Sequence, residues 1–315
     1  MLKCSEGSYT RKNSMMGAFP MNRKIVMSKG RKVECFMGGS GLPKVVILAG
    51  MSSSAYDWEL VVNEWKEAAG FVIVHRPGCG QSEVGEEKRT TAQFIDELDE
   101  LLQNIGMVEP FVLVGHSYGG LCAQHYAKAY PEKTEAVILV DSTSDSLERL
   151  NQIPVSSIED TDEYWIRKCR QLATMNAKQL GALLDPVLSS AHKRLSDWAQ
   201  SEIKTFLCSP FLYKAMASEI EHWEGCARRI KAMNSFPQVP LTVIGRDPIQ
   251  SVLSSIQDGV PAEEAKMIET IWQELIQEQV ALSNQGTFIL ARHATHSIHL
   301  DRPDVIVEAM KPFQS

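Results

Sequence analysis

The chain has 315 residues, of which 44% are hydrophobic and 23% charged, and its formal net charge is −7. This composition is typical of a globular protein with enough length for a large core, and it excludes a disordered or fibrous chain. No apolar run is long enough to span a membrane, and no basic stripe indicates a nucleic-acid partner. The seven cysteines are odd in number and scattered, so we expect reduced thiols and a cytoplasmic protein.

Eight strands are predicted after a polar, aperiodic segment, residues 1–22, which we expect to be a mobile tail. The predicted strands are residues 24–28, 33–37, 44–49, 71–74, 111–114, 136–140, 241–244 and 287–291. From Lys44 onward they alternate with helix-like stretches, a pattern typical of a parallel sheet with crossover helices. The expected fold class is therefore α/β, with a mostly parallel eight-stranded sheet formed by residues 23–145 and 210–315.

Helical periodicity is clear in two crossover segments and in one long insertion. Thr90 and Gln93 have the spacing of a capping box at the start of a helix that Gly106 ends. A second helix is predicted over residues 261–282. Residues 146–209 separate the sixth and seventh strands, show no strand pattern and are rich in Trp, Leu and Phe. We expect this insertion to form a helical lid that selects the substrate.

The most informative motif is Gly115-His116-Ser117-Tyr118-Gly119-Gly120, a G-x-S-x-G pattern. An apolar strand precedes it and a helix-like stretch follows it, which is the context of a nucleophile elbow. The tight turn requires small residues beside the serine and places its hydroxyl near a helix N-terminus. Ser117 is therefore predicted to be a catalytic nucleophile.

A serine nucleophile needs a histidine base and a carboxylate that orients it, and both are expected after the serine in the chain. Asp247, directly past the seventh strand, is the preferred carboxylate, and Asp141, past the sixth strand, is the alternative. The base is expected among the three histidines that follow the last strand, His293, His296 and His299. Their spacing by three residues also allows a metal site, which we consider less favoured because no carboxylate ligand motif accompanies them.

Five segments near the predicted strand ends match known motifs: Leu48-Ala49-Gly50-Met51, His75-Arg76-Pro77-Gly78-Cys79-Gly80-Gln81-Ser82, the Ser117 elbow, Gly245-Arg246-Asp247-Pro248, and His296-Ser297-Ile298-His299-Leu300-Asp301-Arg302-Pro303. Through them, roughly residues 30–312 resemble the α/β-hydrolase superfamily, in its small serine-esterase-like branch. Ala49, His75 and Thr295 replace that family's usual His, Asp and Gly, and the acid loop is one residue shorter.

The resemblance implies a role for particular residues of this chain. The family's catalytic histidine stands seven residues before the proline that is Pro303 here, which selects His296. Backbone N–H groups of Met51 and Tyr118 would form the oxyanion hole, and neither a metal nor an organic cofactor would be required. The implied function is a serine hydrolase that cleaves an ester or related acyl substrate. The alternatives are a ligand receptor on the same fold, or an acyltransferase, lyase or peptidase that uses the same triad.

Overall fold

Eight strands form one sheet in the computed structural model, which describes residues 21–157 and 161–314. Along the sheet the strands follow the order β1-β2-β4-β3-β5-β6-β7-β8. Their bounds are β1 Met21–Ser28, β2 Arg31–Gly38, β3 Pro43–Leu48, β4 Gly70–Val74, β5 Phe111–His116, β6 Thr134–Val140, β7 Leu241–Arg246 and β8 Gly286–Ala291. Every predicted strand overlaps one of these, so the eight-stranded sheet is confirmed. The predicted tail, residues 1–22, lies outside the described residues except for its last two, which belong to β1.

The strands from β3 to β8 pair in parallel, whereas β2 pairs antiparallel with both β1 and β4. The central strand β5 is buried along its whole length, as expected for a parallel strand that is covered on both faces. Parallel strands bring their carboxyl ends to one edge of the sheet, where sheets of this class carry their sites.

Helices cover both faces of the sheet because side chains alternate along each strand. The α-helices of the described residues are α1 Glu59–Trp65, α2 Thr91–Asn104, α3 Tyr118–Ala129, α4 Asp162–Leu172, α5 Ala177–Leu184, α6 Asp197–Leu207, α7 Pro210–Ala232, α8 Pro248–Gln257, α9 Ala262–Val280, α10 Ile298–Asp301 and α11 Pro303–Met310. Val45 and Ile47 pack in one apolar cluster with α1 and the C-terminal helices, whereas Val46 and Leu48 pack in the other with α2, α3 and α9.

The two crossover helices whose ends the sequence predicts are present close to the predicted bounds. Thr90 caps α2, where its side chain accepts a hydrogen bond from the Gln93 N–H at 3.3 Å. The predicted helix 261–282 is α9. The short helix α8 was not predicted, and it begins directly after Asp247 with Pro248 in its first turn. None of the helices in the described part of the chain combines the length and apolarity that crossing a membrane requires.

Between β6 and β7 the described chain contains helices and no strand. Helices α4 to α7 share an apolar cluster with Cys79, from the loop after β4, and the cluster includes Cys169, Leu180, Phe206 and Leu212. Helical structure continues beyond the predicted boundary at Ser209, as α7 follows that residue directly. Ala227 and Ile230, in the second half of α7, pack in the apolar cluster that contains Val46 and Leu48 of the sheet.

Candidate active site

Ser117 stands in a tight turn between β5 and α3. Its backbone is in the left-handed region, with φ of 52° and ψ of −124°, a conformation that is strained for a residue other than glycine. A Cβ at Gly119 would lie 2.1 Å from the carbonyl oxygen of Leu48, and one at Gly115 would lie 2.6 Å from the Cα of Gly120. The glycines of the motif are therefore needed for close backbone packing around the serine.

The elbow is bonded to the chain that follows β6. The Ser117 N–H donates to the Val140 carbonyl at 3.2 Å, and the Thr143 N–H donates to the Ser117 carbonyl at 3.1 Å. Asp141 lies between these two bonds and also has a positive φ, of 40°. The backbone therefore fixes the position of Asp141 relative to the serine.

His296 contacts Asp141 through a short hydrogen bond. The distance from Nδ1 of His296 to Oδ2 of Asp141 is 2.6 Å. The Asp141 side chain is fully buried, whereas 40% of the His296 side chain is exposed. Because Nδ1 faces the carboxylate, Nε2 of His296 is the ring nitrogen left free to exchange a proton with a substrate or nucleophile.

Three groups besides His296 keep Asp141 ionised. The indole N–H of Trp272 donates to Oδ1 at 2.9 Å, and Arg246 donates its backbone N–H and a guanidinium N–H, each at 3.3 Å. Burial alone would raise the pKa of Asp141. The charge of Arg246 and the hydrogen bonds from His296 and Trp272 outweigh burial and lower that pKa to about 2.

The structure does not place Asp247 against the histidine, and the preference for Asp247 over Asp141 is corrected. The carboxylate of Asp247 accepts the Ile249 N–H at 3.0 Å and the His293 N–H at 2.9 Å. The bond from His293 is the main reason why the pKa of Asp247 is lowered. Asp247 is thus the N-cap of α8, a role that its position before Pro248 indicates in the sequence.

The other two histidines considered as bases have different surroundings. His293 lies in the turn at Asp247, where its backbone N–H is bonded. His299 is buried and stacks on Trp58, with ring centroids 5.0 Å apart. Burial holds the pKa of His299 well below its usual range, so this imidazole is neutral.

His116, beside the serine, supports the loop of His296. Its Nε2 donates to the His296 carbonyl at 2.8 Å. Burial, followed by the nearby His296, lowers the pKa of His116 to about 3, so its ring also stays neutral. Sequence reasoning gave His116 no such role, because the contact joins residues that are 180 positions apart.

The two N–H groups implied for the oxyanion hole belong to the residue that follows the serine and to the turn after β3. Tyr118 is the first residue of α3, so its N–H has no partner within the helix. Met51 lies in the turn after β3, which the Ser53 N–H closes on the Gly50 carbonyl at 3.3 Å. A Cβ at Gly50 would lie 3.1 Å from the Cβ of Ser117, so this turn passes directly beside the serine.

A cavity of about 290 Å³ opens over these groups. Its lining residues are Met51, Ser52, Ser53, Asp57, His116, Ser117, His192, Ile203, Leu207, His296, Ser297, His299 and Leu300. The insertion contributes His192, Ile203 and Leu207. A larger apolar groove of about 720 Å³ lies between α8 and α9, but its lining includes neither the serine nor a histidine. The smaller cavity is therefore the candidate active site.

A metal is not suggested by the donor groups of this cavity. Within residues 21–157 and 161–314, no three His, Cys, Asp or Glu side chains converge as a metal site requires. The three C-terminal histidines do not share a face: His296 is bonded to Asp141, His299 is stacked on Trp58, and His293 lies at Asp247.

Comparison with known proteins assigns the fold and the site to a family. A sequence profile described as the alpha/beta hydrolase family matches residues 45–309. The chain belongs to the alpha/beta hydrolase family. The matched range includes Ser117, His296 and both aspartates, so the candidate site lies inside the family's region of the chain.

The curated relatives differ in their named activities. The chain is 24% identical over 226 residues to a cis-3-alkyl-4-alkyloxetan-2-one decarboxylase of Shewanella oneidensis, covering 70% of this chain and 64% of that protein. It is 33% identical over 118 residues to an esterase of Mycobacterium tuberculosis, covering 37% and 39%. It is 27% identical over 119 residues to the Bacillus subtilis protein YbdG, covering 37% of each. In all three the match spans less than two thirds of the relative.

Solved structures agree on the fold at low sequence identity. A probable hydrolytic enzyme of Pseudomonas aeruginosa superposes with a TM-score of 0.62 at 17% identity, covering 93% of each chain. An N-formylmaleamic acid deformylase of Pseudomonas putida superposes with a TM-score of 0.58 at 17% identity, covering 92% of this chain and all of the other. These similarities concern the alpha/beta hydrolase fold alone.

Proposed function

We propose that this alpha/beta hydrolase is a serine hydrolase that cleaves an ester or related acyl substrate through an acyl-enzyme on Ser117. One observation carries the proposal: the histidine that lines the Ser117 cavity is bonded through Nδ1 to a buried, ionised aspartate. The triad proposed is Ser117, His296 and Asp141, with Asp141 in place of Asp247.

The proposed reaction has two halves. Nε2 of His296 takes the proton of Ser117 while Oγ forms a bond to the acyl carbon, and the imidazolium then gives that proton to the departing alkoxide as the ester C–O bond breaks. Water attacks the acyl-enzyme in the same way, which releases the acid and restores the serine. Asp141 holds the tautomer with Nδ1 protonated and stabilises the imidazolium.

The backbone N–H groups of Met51 and Tyr118 are proposed to bind the oxyanion that forms in each half. Donors of this kind contribute about 3–4 kcal/mol each to transition-state stabilisation in acyl-transfer enzymes. The replacement of the family's usual histidine by Ala49 removes no donor, because the contact uses the backbone.

The insertion, residues 146–209, is proposed to act as the lid of this site. Its cavity-lining residues Ile203 and Leu207 are apolar and lie on α6. Such a cover excludes water and strengthens the electrostatic contacts beneath it. Trp165 and Trp198, two tryptophans of the insertion, are 42% and 45% exposed and do not line the cavity. The proposed specificity contacts are therefore Ile203 and Leu207.

Labelling with a fluorophosphonate probe tests the nucleophile. The wild-type protein should form one adduct on the peptide that contains Ser117, and Ser117→Ala should not be labelled. Ser297→Ala is the matched control, because Ser297 lines the same cavity and labelling should persist. Labelling of Ser117→Ala at the wild-type rate would rule out this nucleophile.

Product analysis on a panel of p-nitrophenyl acyl esters tests the reaction class. A hydrolase should release acid and p-nitrophenol over many turnovers. Arrest after one slow turnover would indicate a receptor instead. Products that carry an added alcohol or amine in preference to water would indicate acyl transfer.

A further inference from the structure

We propose that Arg76 is a positioning residue for the oxyanion hole, because it fixes the peptide group whose N–H belongs to Met51. The inference rests on the serine-hydrolase function proposed above. Arg76 lies two residues after β4 and is 3% exposed. It does not line the cavity, so it acts on the reaction only through the backbone that it holds.

The guanidinium of Arg76 binds two successive carbonyl oxygens of the oxyanion turn. Nη1 donates to the Ala49 carbonyl, and Nη2 donates to the Gly50 carbonyl at 3.1 Å. The Gly50 carbonyl and the Met51 N–H are parts of one planar, trans peptide group, so they point in opposite directions. A cation that holds the carbonyl on one side therefore sets the direction of the N–H on the other side. Hydrogen bonding to the carbonyl also polarises the peptide group and makes its N–H a stronger donor.

The same guanidinium contacts the residue that provides the second proposed donor. Its Cζ lies 5.1 Å from the centroid of the Tyr118 ring, within the range of a cation–π contact. Arg76 thus contacts the ring of Tyr118 and the Gly50 carbonyl, which shares a peptide group with the Met51 N–H, while it remains outside the cavity lining.

Glu219 on α7 anchors the guanidinium. Nε of Arg76 donates to one carboxylate oxygen of Glu219 at 2.8 Å, and Nη2 lies 3.5 Å from the other. Glu219 is 3% exposed, so the pair is buried on both sides. A planar guanidinium can serve two carbonyls and a carboxylate at once, whereas the compact ammonium of lysine cannot reproduce that geometry.

The test compares Arg76→Lys with Arg89→Lys. Arg89 is a matched control, since it is also 3% exposed and donates to both oxygens of buried Glu97, at 3.0 and 3.1 Å, away from the cavity. With a p-nitrophenyl ester, Arg76→Lys should lower kcat about 30-fold or more while KM changes less than threefold. Its affinity for an alkylboronic acid, which mimics the tetrahedral intermediate, should fall in parallel. Its pH–rate profile should keep the wild-type shape. Arg89→Lys should lower Tm and leave kcat within twofold of wild type.

Three results would overturn the inference. One is a kcat of folded Arg76→Lys no lower than that of Arg89→Lys. Another is a lower kcat with unchanged boronic-acid affinity, and the third is a displaced pH profile, which would indicate action on the triad. If Arg76→Lys does not fold, Glu219→Gln replaces it in the test. This variant keeps the bonds from Arg76 to the two carbonyls but weakens the Arg76–Glu219 pair. A three- to tenfold loss of kcat would then support the inference, and an unchanged kcat would overturn it. A wild-type protein that neither labels at Ser117 nor turns over esters refutes the proposed function itself, whereas an active wild type beside an unaffected Arg76→Lys refutes only the role of Arg76.

Discussion

Replacing Asp141 by asparagine separates the two candidate acids. The amide keeps the size of the side chain, but it can present an N–H to Nδ1 of His296 where the carboxylate accepted one. The imidazole then carries its proton on Nε2 and cannot take the proton of Ser117. We expect kcat to fall about 10⁴-fold, or about 5 kcal/mol in activation free energy.

The variant should nevertheless fold, because the stability cost is small. The folded pKa of about 2 lies below the ordinary aspartate value of 3.8, so the ionised carboxylate contributes about 2 kcal/mol to the free energy of unfolding above pH 4. That contribution is lost as the pH falls from about 4 to 2. Arg246 keeps its second carboxylate, Glu269, at 2.6 Å. Urea unfolding should show Asp141→Asn about 2 kcal/mol less stable than wild type at pH 7, and the difference should shrink towards pH 2.

Asp247→Asn is the matched control, since asparagine is as good an N-cap as aspartate. We expect its kcat to stay within threefold of wild type and its Tm to change little. Steady-state kinetics on a p-nitrophenyl ester, with Tm for both variants, provide the comparison. A loss of 10³-fold or more in Asp247→Asn, together with less than a tenfold loss in Asp141→Asn, would refute the assignment of Asp141.

Two further predictions concern acid stability and substrate choice. Burial lowers the pKa of His125 to about 4 from 6.5, so the unfolded chain binds a proton below pH 6.5 that the folded chain does not. The free energy of unfolding of the wild type should therefore decrease from pH 7 to pH 5 by about 2 kcal/mol more than that of His125→Gln, as measured by urea unfolding. An equal decrease in the two proteins would contradict this prediction. Leu207→Ala should change kcat/KM for long relative to short acyl esters at least fivefold, whereas Trp165→Ala, outside the cavity, should leave the ranking as it is. An unchanged ranking in Leu207→Ala would show that α6 is scaffold.

Local sequence patterns were sufficient for the sheet and for the serine turn. The strands are continuous apolar runs such as Val112 to Val114, and burial on both faces of a parallel sheet requires such runs. The small residues around Ser117 are demanded by backbone contacts within a few residues of the turn or with the adjacent strand β3. Signals of this kind are present in the residues themselves, so they can be identified without the tertiary structure.

The contacts that complete the site join distant parts of the chain. Arg76 meets Glu219 across 143 positions, and His116 meets the His296 carbonyl across 180. Which residues of the insertion face the cavity depends on how α6 packs, and apolar content alone does not determine that packing. Trp165 and Trp198 have large, mostly apolar side chains, yet Ile203 and Leu207 line the cavity and the two tryptophans do not.

The choice between the two aspartates follows from the end of β7. Arg246 is the last residue of that strand, and its guanidinium lies 3.3 Å from Oδ2 of Asp141, the oxygen that His296 also binds. Asp247 continues in extended conformation, with φ of −74° and ψ of 116°, and successive side chains of extended chain point to opposite faces. Since the Arg246 side chain lies at the Asp141 carboxylate, the Asp247 side chain points away from that carboxylate and caps α8. The cation at the end of β7 therefore binds the proposed acid, Asp141, which directly follows β6, the strand next to β5 and Ser117.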